Sequence, residues 1–459
     1  MGNSGPESAA AAPAAPFRDS PGYRRWLLFL LMLIYTSNFI DRSVLGVLAP
    51  AIKRDLHLSD AEIGVLGGIA FAVFYTGLGI PLARLAERRS RVVLMSVCIA
   101  VWSAMTAVCG LAQNFTQLAL ARVGVGVGEA GCLPSAQSLI SDHFPASKRG
   151  LALAVFSLGI PIGSLIGAVG GGWIAQHLSW RAAFFLVGLP GLALAVITPL
   201  TLREPPRGHA DPGGGAAEPA QPFTAVLKLL WSRPSALWVC AGASVSAAAT
   251  YGFSVFGASY FSRRFHLDYA QAGLMAGLVG SVPMIVSNLA GGAIADRIAR
   301  TDLRAYAWTA AGGLIIAAPL FILGFMQSSL VAAAAVLAVA GLFQQVYLAP
   351  TFAVAQNVVG PRMRATSVAL LSFAWNFIGM GLGPVAVGKI SDVMGRSLAA
   401  SPALDVLHLC RPRAGAEVCG DPSATGLTYG LLAIICCYGL GVVLYLISAR
   451  TMRRDLAVA

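Results

Sequence analysis

The chain has 459 residues, 57% of them hydrophobic and 11% charged, with a mean hydropathy of +0.73 and a formal net charge of +12. A soluble domain carries roughly twice that share of charged residues, so a water-soluble globular fold is excluded and most of the surface must face lipid. Period-two alternation is absent, which excludes a membrane barrel.

In chain order, residues 1–25, "MGNSGPESAAAAPAAPFRDSPGYRR", contain no apolar core and read as a disordered tail, not a cleaved signal. Apolar windows long enough to cross a ~30 Å hydrocarbon core as helix then recur to the end of the chain. Twelve are predicted: 26–50, 61–83, 92–111, 116–140, 150–176, 181–201, 235–260, 270–294, 305–326, 330–356, 366–392 and 425–449. They are spans 1 to 12 below. The Pro-, Gly- and Ala-rich stretch 203–234 divides them into two six-helix bundles, 26–202 and 235–449, and reads as a flexible linker ending in a short interfacial helix, "FTAVLKLLWSR". An outer loop covers 393–424 and a short tail 450–459. Cys410 and Cys419 lie in that outer loop, where an oxidising compartment could join them.

Of the 32 Lys and Arg, twenty-one fall on the side of the two termini, nine on the other side, counting Arg181 and Lys389 at the outer ends of their spans, and two in the interior of spans. This is the positive-inside pattern: both termini are expected in the cytoplasm of a bacterial inner membrane. The basic excess sets orientation and needs no nucleic acid partner.

The two Lys or Arg in the interior of spans are Arg42 and Arg122, and two acids, Asp41 and Glu129, accompany them in spans 1 and 4. A charge at bilayer depth costs about 2.5–3.5 kcal/mol on insertion scales, so each is expected to face a cavity and a partner. Adjacent helical residues point about 100° apart, so Asp41 and Arg42 satisfy each other badly. Arg122 and Glu129 share a face of span 4 but stand two turns apart. The expected arrangement is a cross-helix set, with Arg42 near Glu129 and Asp41 toward Arg122. The competing reading is a purely structural ion network, disfavoured because buried ion pairs add little stability.

The halves echo each other, as duplicated transporters do. "GIPLARLAERRSR" after span 2 matches "GGAIADRIAR" after span 8, "SDHFPASKRG" after span 4 matches "VVGPRMRA" after span 10, and spans 5 and 11 are both Gly-rich with an interior Pro. Gly159, Gly163 and Gly167, and Gly379 and Gly383, read as seams along which helices slide. Tyr347, Trp375 and Asn376 are the expected far wall of a central cavity. Phe71, Phe74, Phe256 and Tyr260 are candidates to line an apolar pocket for a substrate tail. No nucleotide motif or metal-ligand spacing occurs, and no nucleophile converges with a base, so neither an enzyme nor a bound cofactor or metal is expected.

The acid-then-Arg loops after spans 2 and 8 resemble the signature of the major facilitator superfamily, with Glu87 and Ser90 replacing the usual Asp and Gly in the first copy. Within that superfamily, "NFIDR" (38–42) with "RVGVGVGEAG" (122–131) resembles the Spinster family, here as a bacterial homologue. The resemblance implies the major facilitator fold and a lysolipid or sphingolipid substrate. It also implies coupling and substrate roles for Asp41, Arg42, Arg122 and Glu129, and a cytoplasmic gate built on Glu87, Arg88, Arg91, Asp296 and Arg297.

The resulting expectation is a monomeric, proton-coupled secondary transporter, alternating access around a midplane site for a small amphipathic anion in the membrane. Asp41 is the favoured proton site and Arg42 with Glu129 a gate-like pair. A multidrug or hydrophobic organic anion exporter of the same fold and a non-transporting sensor are the alternatives.

Overall fold

The computed structural model describes residues 20–207, 209–210, 223–360, 363–401, 404–407, 409 and 421–457. Residues 1–19, residues 208 and 211–222 of the linker, Cys410 and Cys419 lie outside them. Among the described residues the chain is helical throughout, with no strand. Among these residues eleven helices are long and apolar enough to cross a membrane: Pro21–Leu56, Asp60–Arg88, Arg91–Cys109, Lys148–His177, Trp180–Thr201, Pro234–Phe265, Tyr269–Ala299, Ala305–Met326, Leu330–Asn357, Thr366–Ala400 and Pro422–Leu456. These are spans 1 to 3 and 5 to 12. Span 4 is interrupted, running Phe115–Glu129 and then Cys132–His143.

Polar side chains cap the starts of six spans. The Ser20 hydroxyl accepts the Tyr23 N–H and Pro21 opens the first turn, so span 1 starts inside the stretch expected to be a tail. Ser59 and Glu62 form a capping box at the start of span 2, and Ser90, Asn114, Ser179 and Asp268 cap spans 3, 4, 6 and 8. Spans 1 and 7 end alike, at His57 (φ 53°) and His266 (φ 54°), each followed by Leu and a capping Ser or Asp. This repeat of "HLS" and "HLD" is a further echo between the halves.

The glycine seams lie inside the bundles. A Cβ at Gly159 would stand 2.9 Å from the Met32 carbonyl, and one at Gly167 2.8 Å from that of Ile40, while one at Gly163 would run into Thr36; span 5 therefore lies directly on span 1. Gly379 and Gly383 likewise seat span 11 on Ala247 and Ala248 of span 7. The expected sliding surfaces are thus intrabundle packing, and a different set of small residues joins the bundles. Gly46 of span 1 meets Ser254 and Val255 of span 7, Gly68 meets the Gly381 carbonyl, Gly388 meets Asp60, and Gly172 and Gly273 bring span 5 onto span 8. These contacts lie in the half of the molecule away from the termini, the distal half.

On the face that carries the termini, the linker begins as a strap and not as free chain. Arg91 is buried and pairs with Asp142 of span 4, with Glu204 at 2.6 Å and with the Pro205 carbonyl at 3.0 Å. Glu204 also accepts from Ser90 Oγ and from the Val92 N–H, capping span 3. Arg207 donates to the carbonyls of Ala86 and Arg89 at the end of span 2. The stretch expected as a C-terminal tail instead continues span 12 to Ala457, and its Asp455 accepts the Ser235 N–H at the start of span 7.

Two outcomes follow from this packing. Gly163→Ala forces Thr36 and Phe39 aside, so it should lower the thermal midpoint of the purified protein by an amount equivalent to ~1–3 kcal/mol, whereas Gly170→Ala, which meets open space, should not. Burial pushes the Glu204 carboxyl up, but the Val92 N–H, Arg91 and Ser90 outweigh it and hold it below its ordinary value. A depressed carboxyl stabilises the fold above the ordinary carboxylate range, and that contribution is lost as pH falls through its folded value. Glu204→Gln should therefore melt a few degrees lower at pH 7, with the difference vanishing on acidification.

Candidate functional site

The four membrane charges converge where spans 1 and 4 cross. Arg42 Nε donates to Glu129 Oε2 at 2.7 Å, and Arg122 Nη1 to Asp41 Oδ1 at 3.5 Å. Thr106 of span 3 donates to the other oxygen of Asp41, and Asn38 stands beside Glu129. Arg122 Nε and Glu129 Oε1 are buried with no hydrogen-bond partner, so the set is compact but not saturated.

The glycines of "RVGVGVGE" explain how span 4 gets so close. A Cβ at Gly124 would strike Met105 and one at Gly128 would strike Trp102, both on span 3; one at Gly126 would lie 2.6 Å from the Phe71 carbonyl of span 2. Span 4 is thereby wedged between spans 2 and 3, with Arg122 and Glu129 turned to span 1. The helix breaks at Ala130–Gly131, directly after Glu129. Span 10 breaks in the corresponding place, after Gln344, so the second half carries a neutral amide where the first carries an acid.

Phe71 and Tyr75, one turn apart on span 2, complete the site. The Arg42 guanidinium lies 4.5 Å from the Tyr75 ring centre, 4.9 Å from Phe71 and 5.1 Å from Phe39, and Arg122 lies 5.2 Å from Phe71. One ring therefore contacts both arginines, and cation–π attraction holds each guanidinium in place independently of its carboxylate. Exposure separates the charges: the Arg42 side chain is 15% accessible, against 2% or less for the other three.

The second bundle offers Tyr251, whose hydroxyl donates to Asn376 Oδ1 at 3.4 Å and whose ring meets Trp375 at 5.9 Å. Trp375 and Asn376 open a π-helical segment, Trp375–Leu382, that interrupts span 11. Tyr347 is fully buried, with its hydroxyl beside Trp375 and Thr250. The expected tail-pocket aromatics divide. Phe71 belongs to the charge site, Phe74 is exposed, Phe256 is buried, and Tyr260 packs with Phe261, Phe265 and Phe325 in the core of the second bundle.

Of the signature residues on the terminal face, Arg91 is buried in its clamp, while Glu87, Arg88, Asp296 and Arg297 are exposed, with Asp296 next to Tyr306. The distal face is closed by ions instead. Asp60 accepts from Arg263 of span 7 at 2.7 Å through both oxygens, from Lys53 at 2.6 Å and from Ser391 of span 11 at 2.6 Å. Nearby, "SWR" folds back within the first bundle, with Asp55 accepting from Arg181 at 2.5 Å and Trp180 Nε1 at 3.1 Å. The aromatic cradle, Thr106 and the distal cluster escaped the sequence reading. Phe71 and Tyr75 at a spacing of four were the available signal for the cradle.

Twelve helices in two matched halves, closed on one side and carrying a paired charge set in the membrane, define a membrane transporter of the alternating-access type. Residues 31–384 match the Major Facilitator Superfamily. The chain is 33% identical to an MFS-type efflux pump of Mycolicibacterium smegmatis, over 83% of this chain and 88% of that protein. It is 27% identical to a sphingosine-1-phosphate transporter of Danio rerio, over 81% and 77%. A solved bacterial homologue of the human lysosomal transporter Spinster, in an inward-facing and unoccupied conformation, superposes with a TM-score of 0.85 at 32% identity, covering 95% of this chain and 99% of that one. The chain belongs to the major facilitator superfamily and within it is a Spinster-like transporter.

The geometry makes the charges interdependent. Arg122→Ala leaves Asp41 buried beside Thr106 alone and should cost on the order of 3 kcal/mol of stability, part of which Asp41→Asn in the same chain should restore. Equilibrium unfolding of the two single variants and the double variant measures that coupling.

Proposed function

We propose that this transporter couples proton movement to the passage of an amphipathic anion through the cavity between its bundles. The observation that carries the reading is the contrast within the charge set. Arg42 is the partly accessible member, held by aromatic rings and by its hydrogen bond to Glu129. With both carboxylates ionised the four charges sum to zero; a proton on Asp41 or Glu129 leaves one net positive charge in a low-dielectric site. That excess suits a phosphate or carboxylate head group, for which the guanidinium fork is the natural receptor.

Asp41 serves as the main proton site, and the Arg42–Glu129 pair as the contact that an arriving anion exchanges. Tyr347, Trp375 and Asn376 form the opposite wall, where Trp375 and Asn376 meet Tyr251. Glu87, Arg88, Arg91, Asp296 and Arg297 serve the gate on the terminal face, which the excess of Lys and Arg assigns to the cytoplasm of a bacterial inner membrane. The protein works as a monomer, without a cofactor. A lysolipid or phosphorylated sphingoid base is the preferred substrate class, supported by the zebrafish relative's name. Export of a hydrophobic organic anion or drug is the second reading, supported by the mycobacterial relative's name.

Proteoliposome flux separates these. A labelled anionic lysophospholipid should accumulate when a proton gradient is imposed, with Asp41→Asn and Arg42→Ala each reducing accumulation at least about tenfold, as loss of one ~1.4 kcal/mol interaction would. Flux of a hydrophobic dye should stay at background. Equal lysolipid flux with and without the gradient, unchanged by all four charge-removing substitutions, would remove proton coupling and the role of the charge set together.

A further inference from the structure

Asp60 is fully occupied on the distal face. Its two carboxylate oxygens take two donors from Arg263, one from Lys53 and one from Ser391. It also begins span 2, and the first backbone N–H groups of a helix have no partner within it. Ser59 Oγ accepts the Glu62 N–H and the Ser59 carbonyl accepts that of Ile63. The Glu62 side chain is turned back onto Ser59. Two N–H groups remain, and both are met from the other bundle: Asp392 of span 11 accepts Asp60 N at 3.0 Å with one oxygen and Ala61 N at 2.8 Å with the other.

Consecutive residues of span 11 thus grip Asp60 by its side chain and by its backbone. The approach depends on Gly388, one turn earlier, where any Cβ would run into the Asp60 carbonyl. A carboxylate at a helix N-terminus is favoured by the exposed donors and by the helix dipole, more so where water is excluded. Parting the bundles on this side would return both N–H groups and the carboxylate to water.

We propose that Asp392 is a positioning residue of the distal seal. It caps span 2 across the bundle interface only while that side is closed, and so holds Asp60 in register with Arg263. This rests on the alternating-access fold and not on the identity of the substrate or coupling ion.

Spin labels at the exposed distal positions Gln113 and Ala399, one on each bundle, report the seal by double electron–electron resonance in lipid nanodiscs. A second pair, Gln113 and Leu178, lies within the first bundle and reports its integrity. Asp392→Asn and Gly388→Ala should each raise the ratio of long to short Gln113–Ala399 distances about tenfold, and Asp392→Glu should return it toward the parent value. In every variant the Gln113–Leu178 distance should hold. An unchanged Gln113–Ala399 distribution in both Asp392→Asn and Gly388→Ala overturns the proposal. So does a Gln113–Leu178 distance disturbed by Asp392→Asn, which would make the residue a fold element of span 2. Neither result touches Asp41, Arg42, Arg122 or Glu129, so failure here is distinct from failure of the transport reading.

Discussion

A charge inside hydrocarbon must find its opposite within hydrogen-bonding reach, and this constraint organises the first bundle. Asp41 and Arg42 leave the same helix in different directions, so no fold of span 1 alone satisfies both. Span 4 must bring Arg122 and Glu129 to them, and it can do so only by lying closer to spans 2 and 3 than side chains would allow. Gly124, Gly126 and Gly128 remove those side chains on alternate positions. The glycines and the charges of this segment are one device: the former set the interhelical distance that the latter need.

The same approach places the Phe71 ring between two guanidiniums, which changes what the ion pairs can do. A guanidinium held only by its carboxylate would follow that carboxylate or be left unpaired. One held by aromatic faces as well keeps its position when the carboxylate is neutralised, and is ready for another anion. Buried ion pairs contribute little net stability, so a network with two unpaired polar atoms is better suited to exchange than to bracing. The distal face shows the contrasting design, since both oxygens of Asp60 and its backbone N–H are met from the second bundle, by Arg263, Ser391 and Asp392.

Much of this was legible in the sequence. Span number, the six-plus-six division and the partner choice among the four charges follow from hydropathy, from the linker and from the angle between successive helical residues. What was not legible depends on depth and on which neighbour a small residue meets. Gly163 and Gly383 read correctly as close-approach sites, but a one-dimensional pattern does not say whether the facing helix belongs to the same bundle. The strap at Glu204 looked like linker because its neighbours are Pro and Arg; its anchor, Arg91, is known to be buried only once spans 3 and 4 are side by side. The aromatics were misassigned for a similar reason: Phe71 and Tyr260 are both buried, but one faces the two arginines and the other the aromatic core of the second bundle.

The central claim is that anion binding and protonation of the span 1 and span 4 carboxylates are linked, and proton exchange on binding tests it most directly. Adding an anionic lysophospholipid to purified protein in weakly buffered detergent should draw about one proton per site from solution. Asp41→Asn combined with Glu129→Gln should bind with no such uptake. Binding by the parent protein with no proton taken up, at any pH between 5 and 8, would contradict the account.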